Sequence, residues 1–144
     1  MEQTTDSITN DVSVIIPVHN GADYLEDTLR CVMKQTLRKI EIIVVDDGST
    51  DDTAAIVKRL QEEDNRLRYI YQEKANAGVA RNRGMAAANG QALMFLDGDD
   101  LFESEMLEKM YGALAECTAD MVVCDADQYD TRTGEYLPKP QYMR

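Results

Sequence analysis

Three short segments of this 144-residue sequence place polar and acidic side chains directly behind apolar runs. His19, Asn20 and Gly21 follow Val12–Val18 (VSVIIPV). Asp46, Asp47, Gly48, Ser49 and Thr50 follow Ile40–Val45. Asp97, Gly98, Asp99 and Asp100 follow Ala92–Leu96. Clustered carboxylates offer hard oxygen ligands suited to Mg2+ or Mn2+, ions that bridge protein acids to substrate phosphates. Gly98 permits a tight bend, so Asp97 and Asp99 can reach toward one point. A D-x-D spacing alone is a weak signal. Asp46, Asp97 and Asp99 gain weight as metal and phosphate candidates when the three run ends are taken together. Asp51, Asp52, Glu103 and Glu105 read instead as acids at loop and helix starts, where they cap well.

Asn76–Gly84 (NAGVARNRG) adds amide and guanidinium groups at a helix start, which favours anions. Arg81 and Arg83 point about 200° apart around a helix. At most one of them faces a site, and Arg81 is the candidate. His19 is the sole histidine, with no serine or cysteine beside it to form a triad, and reads as a loop residue. Asp125, Ala126 and Asp127 repeat the acid-x-acid spacing without the glycine and later glutamate of a calcium loop.

The elements that must position these groups follow from periodicity. Val12–Val18 and Ile40–Val45 lack polar alternation, as strands buried on both faces do. Leu67–Tyr71 is a weaker third strand, Ala92–Leu96 a fourth, and Met121–Cys124 (MVVC) opens a fifth. Helices are expected over 22–35, 50–63 and 76–89, with a fourth capped by Ser104. Ser49 or Thr50 should cap the second, and Gly90 should close the third. In the fourth, Leu107, Met110, Tyr111 and Leu114 mark one face. No strong element is expected beyond Asp130. Alternating strands and helices imply an α/β fold: a mainly parallel open sheet, helices on both faces, strand order third-second-first-fourth. Ligands then sit beyond the carboxyl ends of the strands, near the switch point.

The net charge of −12 argues against a nucleic-acid binder and repels a free nucleotide. An apolar fraction of 44% over this length supports one real core, so a polar tail (1–11) and one domain (12–144) are expected. No apolar stretch is long enough to cross a membrane. The first eleven residues lack the basic start and apolar run of a secretion signal. Cys31, Cys117 and Cys124 form no C-x-x-C pair and read as buried free thiols of a cytoplasmic protein.

VSVIIPVHN, VVDDGSTDDT, NAGVARNRGMAAANG and MFLDGDD, in this order and spacing, resemble the family 2 glycosyltransferases. The resemblance implies the Rossmann-like GT-A fold and transfer of a sugar from a nucleotide diphosphate donor to an acceptor hydroxyl, with inversion. By the match, Asp46 hydrogen-bonds the base, usually uracil, and Pro17, Val18 and Asn20 line the base pocket. Asp97 lies near ribose and metal, and Asp99 ligates Mg2+ or Mn2+. Asn76 and Arg81 fall in the segment near base and diphosphate. A UDP-sugar donor and a glycan or lipid-linked glycan acceptor are implied, in cell-surface polysaccharide synthesis at the inner face of the membrane. The family's general base lies further downstream, so 12–144 is expected to be the donor-binding part without the acceptor half. An exposed sheet edge there would favour self-association.

Other readings fit less well. A phosphatase with a D-x-D nucleophile places that motif at the first strand. A receiver domain places its acids there too, and a dinucleotide fold needs G-x-G-x-x-G. The alternative that remains is a non-catalytic nucleotide-binding or interaction module. It would share the donor site and differ in turnover.

Overall fold

The computed structural model describes residues 9–138, so residues 1–8 of the expected N-terminal tail lie outside the described residues. Four parallel strands form the main sheet: β1 (Val12–Val18), β2 (Ile40–Asp47), β3 (Leu67–Gln72) and β4 (Ala92–Phe95), in the order β3-β2-β1-β4. This is the expected fold class and strand order. Every residue of β1 and β2 is buried, as their apolar-rich runs without polar alternation imply. Asn10 and Asp11, assigned to the tail, already border the sheet: the Gln91 and Ala92 amides donate to their carbonyls.

Helices cover both faces. α1 (Leu25–Met33), α2 (Thr53–Glu63) and α4 (Met106–Glu116) contribute to the larger core with Val14, Ile16, Ile42 and Val44. α1 does so through Leu25, Leu29 and Val32, spaced one helical turn apart. α3 (Ala77–Ala87) lies on the other face, where Ala80 packs with Ile43 and Val45. A Cβ at Gly84 would lie 2.4 Å from Ile15 Cγ2, so the small residue lets this helix approach β1 closely.

The α3 side of the sheet also holds a buried charge. Glu41, 4% exposed, accepts from the Ser13 hydroxyl (2.6 Å), the Asn89 amide and Arg68 Nη1 (2.8 Å). Burial alone would raise its pKa, but these donors together hold it below the usual carboxylate range.

Several local expectations are corrected. Met121–Cys124 forms no strand; Met121 and Val123 are exposed and pair with nothing in the main sheet. A β-branched run supplies propensity, but a strand also needs a partner edge. Beyond it, β5 (Tyr129–Asp130) and β6 (Glu135–Tyr136) form a small antiparallel hairpin where no element was expected. Ser104 does not cap α4. Gln35, fully buried, does so from a distance: its Oε1 accepts from the Leu107 amide at 3.0 Å, and its Nε2 donates to the Glu103 carbonyl at 2.7 Å. Neither Ser49 nor Thr50 caps α2; Asp52 precedes that helix, and Asp51 accepts from the Thr53 amide. Gly90 does not close α3 in a left-handed turn; a Cβ there would meet the Ser13 backbone at 2.5 Å. Cys117 and Cys124 are exposed rather than buried, and Cys31 is half-buried.

Candidate functional site

The carboxyl ends of the four parallel strands open onto a cleft of about 470 Å³. Two loops form its wall and are stitched to each other. Asn20 adopts φ +51, a left-handed conformation that asparagine tolerates better than most residues. Its amide donates to Ser49 Oγ at 2.8 Å, and its side-chain Oδ1 accepts from the Thr50 amide at 2.8 Å. The Gly21 amide donates to Thr53 Oγ1, and the Ala22 amide to Asp51 Oδ2. His19 Nδ1 lies 2.8 Å from the Asp47 carbonyl. These contacts satisfy the turn amides with side chains of the neighbouring loop.

A third loop carries the acids beyond β4. The hydroxyl of Thr28, on α1, reaches the Gly98 and Asp100 carbonyls at 2.9 Å each. Asp97 and Asp99 both line the cleft. Asp97 Oδ1 is 2.8 Å from Arg81 Nη2, on the first turns of α3. Partial desolvation, and then the charges of Asp99 and Asp97, push the Asp100 carboxyl above its usual range. Among the described residues no group of three or more His, Cys, Asp or Glu side chains could hold a metal unaided. Two carboxylates on either side of a glycine fit a hard divalent ion whose other ligands come from phosphate and water.

Of the candidate residues, Pro17, Val18, Asn20, Arg81, Asp97 and Asp99 line one cleft. Two candidates do not. Asp46 is 1% exposed, with Oδ1 accepting from the Ser49 amide and Oδ2 from the Tyr69 hydroxyl at 2.6 Å. Its neighbour Asp47 lines the cleft in its place. Successive residues of a strand point to opposite faces. Asp46 shares the parity of Val44 and the larger core; Asp47 shares that of Val45 and α3. Asn76 is absent from the lining and caps α3 instead, accepting from the Val79 amide.

Asp47 is firmly held. Lys74 Nζ, Gln72 Nε2 and the Ala75 amide each donate to it at 2.8 Å. The Lys74 contact first, then Gln72 and Ala75, bring its pKa down to about 2. Gly48, at φ +73, lets the turn pass beside the Lys74 backbone: a Cβ there would stand 2.8 Å from the Lys74 nitrogen. Lys74 and Tyr24 line the cleft and were not foreseen. The signal for Lys74 was available, because the rule that ligands sit beyond strand ends applies to β3 as well.

Known proteins share this architecture. Residues 13–144 match the family described as glycosyl transferase family 2. Glycosyltransferase GlyG of Streptococcus pneumoniae is 37% identical over 126 residues, 87% of this chain and 42% of that protein. The crystal structure of S. aureus TarS 1-349 in complex with UDP superposes with a TM-score of 0.71 at 32% identity, over 76% of this chain and 33% of that one. The mannosyltransferase PcManGT from Pyrobaculum calidifontis, in complex with GDP-Man and Mn2+, gives 0.70 at 29% identity, over 74% of this chain and 33% of that one. The chain thus spans less than half the length of these relatives. A parallel sheet in the order β3-β2-β1-β4, acids at the end of β2 and beyond β4, and a family match that begins at β1 and covers most of the sequence agree on one conclusion: the chain belongs to glycosyltransferase family 2 and carries a GT-A-type α/β fold.

Proposed function

We propose that this chain forms the donor site of an inverting glycosyltransferase, binding a UDP-sugar with Mg2+ or Mn2+ and presenting the sugar to an acceptor hydroxyl of a glycan or lipid-linked glycan. The observation that carries the proposal is the cleft itself, with acids at Asp97 and Asp99 and cations at Arg81 and Lys74. The backbone of Pro17–Asn20 lines the base end. The base-recognition role that the resemblance gives to Asp46 passes to Asp47, the acid that faces the cleft. An ionised carboxylate only accepts hydrogen bonds, so it favours a base with an imide or amide N–H at that edge, as in uracil.

Asp97 and Asp99 would hold the divalent ion, which acts as a Lewis acid that stabilises the charge developing on the leaving diphosphate. Arg81 would offer positive charge to the diphosphate oxygens, while Lys74 stays on Asp47 and offsets that buried acid. This matters in a chain of net charge −12, which otherwise repels the nucleotide. The UDP-bound and GDP-Man/Mn2+-bound relatives support both ligand classes.

Calorimetric titration of UDP into the chain tests the reading. With Mn2+ present, binding is expected; in excess EDTA it should weaken severely. Asp99→Ala should abolish the metal-dependent part with the fold intact, since Asp99 is exposed. Equal UDP affinity in both buffers would remove the metal from the proposal.

A further inference from the structure

We propose that Arg81 is an exchangeable counter-ion: it holds the Asp97 carboxylate until a divalent cation takes its place, and the freed guanidinium then binds the diphosphate. The inference rests on the donor-site reading above and adds a coupling between its two ligands.

The cleft contains two ion pairs with very different holds. Asp47 is almost fully buried and takes three donors, so withdrawing Lys74 would leave a buried carboxylate short of a partner. Arg81 and Asp97 meet through a single 2.8 Å contact, with side chains 38% and 57% exposed. Arg81 is the one partner of the Asp97 side chain among the described residues. Exposed pairs of this kind are held weakly, so Asp97 can change partners cheaply while Asp47 cannot. Arg81 leaves from α3, and Asp97 and Asp99 come from the loop beyond β4, all into one cleft. The group that neutralises Asp97 in this structure is also the group whose planar fork suits a phosphate.

Cation and nucleotide then help each other. A cation on Asp97 releases Arg81 for the diphosphate, and a diphosphate on Arg81 releases Asp97 for the cation. Such coupling is reciprocal by thermodynamic necessity.

Arg81→Met separates the two effects. Mn2+ titration followed by electron paramagnetic resonance, without nucleotide, should show about two- to fivefold tighter binding than wild type, because the competitor for Asp97 is gone. UDP titration at saturating Mn2+ should show binding weakened by about tenfold or more. Arg81→Lys keeps the charge and should move both values back toward wild type. A merely structural arginine would shift both affinities the same way. If wild type binds UDP with Mn2+ but Arg81→Met binds Mn2+ no tighter than wild type, the exchange is wrong and the donor site stands. If wild type binds neither, both proposals fall together.

Discussion

Replacing Glu41 by glutamine asks whether the charge inside β2, and not its shape alone, ties the end of α3 to the sheet. Glutamine keeps one oxygen for Ser13 and Asn89 as a neutral acceptor, and sets its amide NH2, a donor, against the Arg68 guanidinium. Hydrogen bonds to charged groups contribute roughly 1.5–3 kcal/mol against about 0.5–1.5 for neutral ones. Arg68 is 42% exposed, so its share belongs at the low end. Two weakened bonds and one lost pair sum to about 2–4 kcal/mol. In a chain of this length that corresponds to a melting temperature lower by about 6–12 °C near neutral pH. The pH dependence gives a second, independent readout. Glu41 has a depressed folded-state pKa, so its stabilisation is complete above the unfolded value of about 4.3 and is lost as pH falls through the folded value. The difference between wild type and Glu41→Gln should therefore be largest near neutral pH and narrow progressively as pH falls below about 4.3 and through the lower folded-state value. Urea denaturation followed by circular dichroism at several pH values measures it. A difference under about 0.5 kcal/mol near neutrality, or one that stays constant with pH, would refute the reasoning.

Two further substitutions probe how the site is held. Gly84→Ala puts a methyl group 2.4 Å from Ile15 Cγ2, which should cost about 1–3 kcal/mol and push α3, with Arg81, away from β1. Lower thermal stability with weaker UDP binding is expected, and unchanged values for both would show that the helix is not seated as described. Gln35→Leu removes the buried acceptor of the Leu107 amide and the donor to the partly exposed Glu103 carbonyl, for a loss of about 1–3 kcal/mol. Hydrogen exchange should quicken first at the start of α4, and protection at Leu107 as strong as in wild type would contradict that role.

The sheet was legible in the sequence because its two central strands are dominated by β-branched apolar residues without polar alternation, and such runs have few other places to go. The same property hid the phase of β2. With both faces buried there is no alternation to say which of Asp46 and Asp47 points toward α3, and only the packed structure separates them. Gln35 was illegible for a different reason. Its partner amide lies 72 residues away in the chain, and no local pattern reports such a cap. Asn76 was noticed as part of a helix-start segment near a ligand, and it is at that helix start, but its oxygen is used by the Val79 amide. Met121–Cys124 has the composition of a strand without a partner in the described sheet, and composition alone cannot supply one.

All four strands of the main sheet lie between Val12 and Phe95, and every residue lining the cleft lies between Pro17 and Asp99. Chains emerge from the ribosome N-terminus first, and domains fold as units while synthesis continues. The cleft is therefore assembled from a continuous early stretch, with α4 following directly to be capped by Gln35, which lies just past the end of α1. On the donor-site proposal, a nucleotide present during translation engages this stretch once it has folded and so stabilises it before α4 is made.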